Sequence, residues 1–307
     1  MTRVLVAGEL NVDLVLTGLP TLPVLGRELT CTDFAVTLGS SSAITAARLA
    51  ALGAAVDFVG IVGADAFGQV VLDELQHFGV GTAQVERVSI STGVTVALTY
   101  DRDRALLTYP GTIAAYDGAN ITPELLAGYD HLHVGSFFLQ TGLQAALPRL
   151  FARAQAQGLT TSLDVGWDPL EQWMRNPHLA PTLAHTDVFF PNEVETAALL
   201  GAAGDVQALA AAVGGLLIVK QGGKGATAYH KQGETFSAPA LPVTVVDTTG
   251  AGDAFNAGFL YARWVEGRSL PDALRFAAAC GAQAVTQVGG ATGAPSAAHI
   301  WRLVAGE

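Results

Sequence analysis

The segment Val245–Phe255, Val-Val-Asp-Thr-Thr-Gly-Ala-Gly-Asp-Ala-Phe, gathers residue types that handle a transferred phosphoryl group. Val245 and Val246 end a strand, Gly250 and Gly252 permit a tight turn, and from Ala254 a helical pattern runs through Tyr261 and Trp264. The first N–H groups of a helix have no partners within it and lie at the positive end of its dipole, so a glycine turn lets an anion approach them. Asp253, at the mouth of that turn, could accept a proton from an attacking hydroxyl while the amides neutralise developing charge. The competing reading makes Asp253 an N-cap and the glycines a plain turn. Capping needs one Asp, Ser or Thr, however, and explains neither Asp247, Thr248 and Thr249 nor the paired glycines. A Walker A loop is excluded, because no Gly-x-x-x-x-Gly-Lys-Ser/Thr occurs. Phe255 stands where a dinucleotide fingerprint needs a small residue.

Three further stretches place polar residues after apolar runs. Val4–Ala7 reads as a strand buried on both faces, and Asn11 and Asp13 follow it. They are either ligands at a strand's carboxyl end or ordinary turn formers. Phe190-Pro-Asn192-Glu-Val-Glu195 marks a strand-to-helix junction, where carboxylates ordinarily cap and complement the dipole. Lys220-Gln-Gly222-Gly-Lys-Gly225 follows Leu216–Val219; its glycines allow close backbone approach to phosphates, which Lys220 or Lys224 could pair with, and a plain β-turn is the alternative.

Elements must hold these groups together. Strands are expected at Val56–Val62, His131–Gly135, Thr160–Val165, Val188–Phe190 and Leu216–Lys220. They alternate with helices at Ala43–Leu52, Val70–Phe78, Leu143–Gln157, Glu193–Leu200 and Val206–Val213. That rhythm predicts an α/β fold, a doubly wound and mostly parallel sheet flanked by helices, with residues 1–307 forming one domain. Leu14–Thr17 with Leu29–Val36, and Val94–Tyr100 with Ala105–Tyr109 across the charged turn Asp101–Arg104, read as β excursions spanning 14–37 and 91–111. Together they could build a small β lid.

Half of the 307 residues are hydrophobic and the net charge is −11, which argues against nucleic acid or an acidic membrane surface as partner. Cys31 and Cys280 indicate neither a disulfide framework nor a zinc site, and a reducing cytoplasm fits. The start of the chain suits a strand and not a signal peptide, and Leu209–Val219 is too short to span a bilayer.

Asp247-Thr-Thr-Gly-Ala-Gly-Asp253-Ala-Phe-Asn-Ala-Gly258 resembles the C-terminal signature of the ribokinase-like (PfkB) carbohydrate kinases. The resemblance implies an ATP- and Mg²⁺-dependent sugar kinase with Asp253 as base and Gly250, Ala251 and Gly252 as the anion hole. It implies that Asn11 and Asp13, with the Gly39-Ser40-Ser41 loop, hold sugar hydroxyls, and that the lid covers the sugar and pairs two subunits as a homodimer. Asn192 and Glu195 would organise Mg²⁺ through water, while Lys220, Gly222 and Gly225 would meet the nucleotide and Ala277–Ala284 would wall its base. Asp247 and Thr249, with Ala284 and Gly289, fall where relatives bind a K⁺-like ion.

Departures matter as well. Ile44 stands where the family has Asn, so that sugar contact is either lost or supplied elsewhere, by Ser40, Ser41 or Gln140. Ser40–Ser42 replace the Lys of several relatives, which points to an uncharged acceptor phosphorylated on a primary hydroxyl. Arg102 and Arg104 are the objection to that reading, since a hairpin tip can fold over the site and bring a guanidinium with it; they are read as solvated turn charges. The alternatives are a nucleoside kinase, with Phe137, Phe138 or Tyr109 stacked on a base, and a non-catalytic sugar or nucleotide sensor.

Overall fold

The computed structural model describes residues 2–100, 104–201, 204–287 and 289–307. Strands β1 (Arg3–Gly8), β4 (Ala55–Gly63), β5 (Gly81–Val88), β8 (His131–Val134), β9 (Thr160–Leu163), β10 (Val188–Phe189), β11 (Leu216–Lys220), β12 (Ala226–His230) and β13 (Thr235–Ala238) form one sheet. Its order is β13-β12-β11-β10-β9-β8-β1-β4-β5. Pairing is parallel from β5 to β11, and β12 and β13 add an antiparallel edge. From β1 the chain builds outward to β4 and β5, then crosses to β8 on the other side. The winding therefore reverses beside β1, which opens a crevice at the strands' carboxyl ends.

Alternation along β1 shows why both faces need cover. Val4 and Val6 pack in one apolar cluster and Leu5 and Ala7 in the other. Helices Ser41–Leu52, Ala251–Leu260 and Leu270–Ala284 cover the first face, in contact with one another in that order. Small residues allow the close approach: a Cβ on Gly258 would lie 2.7 Å from Cys280 Sγ.

A second sheet has order β3-β2-β6-β7, from β3 (Asp33–Leu38), β2 (Asn11–Thr17), β6 (Gly93–Thr99) and β7 (Arg104–Tyr109). Five expectations need correction. Val245 and Val246 end no strand, because the last described strand is Thr235–Ala238 and the chain from there to the turn is irregular and mostly exposed. The helix expected from Val70 begins at Ala66, where Asp65 caps it by accepting from Gly68 N. Asn11 and Asp13 lie inside β2, paired with Gly93 and Thr95 of β6, and not in a turn. The third strand begins at Asp33, so Leu29–Thr32 stays outside it. The helix expected from Leu143 begins at Leu147, since Pro148 fits only the first turn. In the charged hairpin turn, Asp101, Arg102 and Asp103 lie outside the described residues.

Candidate active site

Successive parallel strands deliver polar groups to one edge: Glu9 follows β1, Ser136 follows β8, Asp164 follows β9, Asn192 follows β10 and Lys220 ends β11. Lys220 Nζ donates to Asp164 Oδ2 at 2.6 Å and to Asn256 Oδ1 at 3.3 Å, and Asn256 Nδ2 donates to the same Asp164 oxygen at 2.7 Å. Burial opposes both charges, yet their mutual attraction holds the Lys220 ammonium above its ordinary pKa and the Asp164 carboxyl below its own. Lys220 thus comes to the crevice already ion-paired. Its Nζ lies 3.2 Å from where a Cβ on Gly252 would stand, directly beneath the glycine turn.

Gly250 caps helix Ala251–Leu260 at φ 72°, ψ 3°, with no side-chain cap. Asp253 is therefore the third helical residue and not the N-cap. Its Oδ1 accepts from Ser41 Oγ at 2.6 Å, which joins the serine loop to the candidate base across 212 residues of chain. Burial pushes the Asp253 carboxyl up to about 7, with help from Asp164 and Glu9 and against the Ser41 bond and Lys220. Within the turn, Ala251 N–H donates to Thr248 O at 3.3 Å. Gly252 and Asp253 N–H belong to the first turn, which offers no intrahelical acceptors.

Asn192 and Glu195 meet, as a reciprocal capping box: Glu195 N donates to Asn192 Oδ1 and Asn192 N to Glu195 Oε2, both at 2.8 Å. Burial, then Asp164, pushes the Glu195 carboxyl up to about 7 against the pull of Lys220. Gly222 (φ 54°) and Gly225 (φ 97°) bound a single tight turn, where a Cβ on Gly225 would strike Ala238 O at 2.0 Å. These glycines, with Lys220, Gly252, Ala278 and Val245, line a cavity of about 450 Å³.

The residues expected to hold a sugar lie where the link from β1 enters the second sheet. Asn11 Nδ2 donates to Asp13 Oδ1 at 3.0 Å, and a Cβ on Gly39 would lie 2.3 Å from both atoms. Burial pushes the Asp13 carboxyl up to about 6, with Asn11 and Arg104 lowering it and Asp247 raising it. Ser40 Oγ is committed elsewhere: it donates to Glu9 O at 2.6 Å and accepts from Ala43 N at 2.9 Å. Gln140 is fully buried beneath Gly8, and Ile44 packs against Gly290. Of the three residues expected to replace the missing Asn, only Ser41 points at the candidate base. Phe137 and Phe138 are core residues, so neither can stack on a substrate.

Asp247 Oδ1 accepts from Thr249 N at 2.9 Å and Oγ1 at 2.7 Å, and Oδ2 accepts from Gly289 N at 2.9 Å. The candidate K⁺ residues thus fasten the turn to the loop after Ala284. Arg104 is no solvated turn charge: its Nη1 donates to Thr249 Oγ1 at 2.9 Å and Thr248 Oγ1 at 3.2 Å. Residue pattern gave no warning of Arg48, an Arg in an alanine-rich helix. It is buried and donates through Nε and Nη2 to Gly290 O at 3.0 and 2.8 Å, bracing the loop against which Gly250 packs.

A buried carboxylate beside a glycine-capped helix start, at the switch point of a doubly wound sheet, suits a ligand that carries a phosphoryl group. The sequence matches the pfkB family carbohydrate kinases over residues 1–297, and the chain belongs to that family. It is 33% identical to the ATP-dependent ribose-1-phosphate kinase of Halopiger xanaduensis, over 97% of this chain and 96% of that one. It is 29% identical to the ribokinase of Bacillus subtilis, over 99% and 100%. The structure of Arabidopsis thaliana ribokinase complexed with ribose and ATP superposes with a TM-score of 0.84 at 25% identity, covering 99% of this chain and 98% of that one. The chain is a kinase with an alcohol acceptor, and among the described residues no helix is long and apolar enough to cross a membrane.

Proposed function

We propose that this enzyme transfers the γ-phosphoryl group of ATP to a primary hydroxyl of a small sugar, with Asp253 as general base. The observation that carries the reading is Asp253 itself, held by Ser41 at the helix start and poised to titrate at about 7. The acceptor oxygen attacks the γ-phosphorus, its proton passes to Asp253, and the bond to the β–γ bridging oxygen breaks to release ADP. Gly252 and Asp253 amides face the charge that spreads over the phosphoryl oxygens, and Lys220 supports them from below. The Gly222–Gly225 cavity, floored by Ala278, suits the nucleotide.

Mg²⁺ fits this edge. Asp164, Glu195 and Asp253 set three hard carboxylates against the single ammonium of Lys220. Mg²⁺ keeps several of its waters, and Glu195 would hold the ion through them. Bound there, the ion would supply charge neutralisation to the phosphates.

The acceptor is read as an uncharged pentose or ketohexose, because Ser41 and Asp13 offer neutral and anionic acceptors of hydrogen bonds. Arg104, directed at the Thr248–Thr249 turn and lowering the Asp13 pKa, favours a second reading in which the sugar already carries a phosphate. The ribose-1-phosphate kinase of Halopiger xanaduensis has that kind of acceptor in its name. ADP release measured against ribose, fructose, ribose 1-phosphate, fructose 6-phosphate and nucleosides decides. Highest kcat/KM on a phosphorylated sugar defeats the first reading, and binding without ADP release from any of them defeats the enzyme reading in favour of a sensor.

The small sheet serves as cover for the acceptor and as the contact of a homodimer. Phe34, Val36, Leu106, Leu107 and Tyr109 leave apolar surface exposed on it. Sedimentation equilibrium should give twice the 31.6 kDa chain mass, and Leu107→Lys should halve it. A monomer at micromolar concentration removes the dimer.

A further inference from the structure

Glu9 is a buried carboxylate that no step above uses. It is 1% exposed and lies in the link between β1 and β2, where the chain passes from one sheet to the other. Its Oε2 accepts from Ser42 Oγ at 2.6 Å and its Oε1 from Ser42 N at 3.1 Å. Its backbone oxygen accepts from Ser40 Oγ at 2.6 Å. Ser42 Oγ accepts in turn from Gly135 N at 2.9 Å, at the end of β8. Glu9 thereby grips the residues on either side of Ser41, and Ser41 is the residue that donates to Asp253.

The grip has a cost that needs explaining. Ser40 is held at φ 71°, ψ 122°, a conformation L residues seldom adopt, and such backbone persists only where its surroundings over-determine it. Space is equally constrained: a Cβ on Gly135 would lie 2.9 Å from Ser41 Oγ, Ser42 N and Ser42 Oγ. Capping the Ser41–Leu52 helix requires Ser40 alone, and does not require a buried carboxylate on Ser42.

We propose that Glu9 is a positioning residue for phosphoryl transfer. By holding Ser40 through its carbonyl and Ser42 through its carboxylate, it sets Ser41 Oγ against Asp253 Oδ1. That bond fixes the Asp253 rotamer and leaves Oδ2 as the oxygen that takes the acceptor's proton. The proposal rests on Asp253 being the base.

The test is a double-mutant cycle at saturating ATP, with Asp253→Asn in the same panel. Asp253→Asn that keeps its turnover overturns the base, and this proposal with it; the outcomes below apply once Asp253→Asn is inactive. Glu9→Ala should lower kcat about tenfold or more and leave the KM for ATP within about twofold, because a misdirected base costs turnover and not nucleotide binding. Glu9→Gln, which keeps an acceptor for Ser42 N, should recover most of that loss. Glu9→Ala added to Ser41→Ala should cost less than about twofold more, since Glu9 acts through Ser41. Wild-type kcat in Glu9→Ala, or a full independent loss in the double variant, overturns the proposal. If Glu9→Ala does not fold, Ser42→Ala carries the test: a kcat loss of about threefold that vanishes in the Ser41→Ala background supports it, and an unchanged kcat overturns it.

Discussion

At the proposed nucleotide end, Lys220, Asp164 and Asn256 join two strands of one sheet to the helix packed on it, through three hydrogen bonds of 2.6 to 3.3 Å. At the proposed acceptor end, Asn11, Asp13 and Arg104 come from the second sheet. They reach the phosphoryl-transfer turn through Arg104 on Thr248 and Thr249, and the serine loop reaches it through Ser41 on Asp253. The first set is tied within the large sheet and its helix; the second links the small sheet and the serine loop to that helix and its turn. Such a division lets the acceptor vary while the chemistry of transfer stays unchanged, which is what a family of kinases for different sugars requires.

Removing the base tests the helix of the first set, with the largest expected effect. Asp253→Asn should lower kcat about 10²-fold or more with ADP binding by calorimetry unchanged. For the native enzyme, kcat should fall as pH drops through about 7, where the Asp253 carboxyl protonates. Stability runs the other way. The folded pKa is raised above the ordinary 3.8, so this group's contribution is fully present below pH 3.8 and lost as pH rises through about 7. Asp253→Asn should therefore gain in Tm relative to the native chain between pH 5 and pH 8. A relative loss over that range would mean that the Asp253 pKa is not raised in the folded state.

Breaking the second set should spare the first. Gly39→Ala would drive a Cβ to 2.3 Å from Asn11 Nδ2 and Asp13 Oδ1, and one of them must move. Acceptor kcat/KM should fall about tenfold or more, while the KM for ATP stays within about twofold. An equal loss on ATP would show that the two ends are one unit.

The same contrast governs what the sequence disclosed. The turn from Asp247 to Asp253 is contiguous, so its candidate groups could be named residue by residue, and apolar runs located β1, β4, β10 and β11; β8 and β9 instead bury His131, His133, Thr161 and Ser162, and both histidine rings hydrogen-bond to Ser162 Oγ across the strands. Groups that depend on distant partners were not legible. Glu9 meets Ser42 33 residues on, Asp164 meets Lys220 56 residues on, and Arg48 meets Gly290 242 residues on. Asn11 and Asp13 carried the composition of a turn, yet pairing with Gly93 and Thr95 makes them strand. Arg104 looked like a hairpin charge because nothing local shows that β7 begins against the Thr248–Thr249 turn.

Arg104→Met sharpens the acceptor reading. With Arg104 gone, the Asp13 carboxyl rises beyond about 6, so below pH 7 more of it is protonated and the acceptor loses an anionic partner. For a neutral sugar, acceptor KM should rise about three- to tenfold, and more steeply at pH 6 than at pH 8. For a phosphorylated sugar the loss should approach about 10²-fold and persist at pH 8, since the guanidinium then holds a dianion. An unchanged KM for every acceptor would exclude Arg104 from the site.

The smallest effect is expected at Glu195, where structural and functional roles can be separated by one atom. Its backbone N–H and Oε2 complete the capping box with Asn192, and glutamine serves that box as well as glutamate. Glu195→Gln should therefore leave Tm nearly unchanged near pH 7, where the native carboxyl is itself half protonated. Its charge is another matter. An Mg²⁺ ion held through water senses a carboxylate by its field, and bound Mg²⁺ would in turn favour the ionised form that burial and Asp164 now disfavour. The Mg²⁺ concentration for half-maximal ADP release should rise about two- to fivefold in Glu195→Gln, with kcat at saturating Mg²⁺ close to native. A superimposable Mg²⁺ titration would leave Glu195 as a helix cap alone.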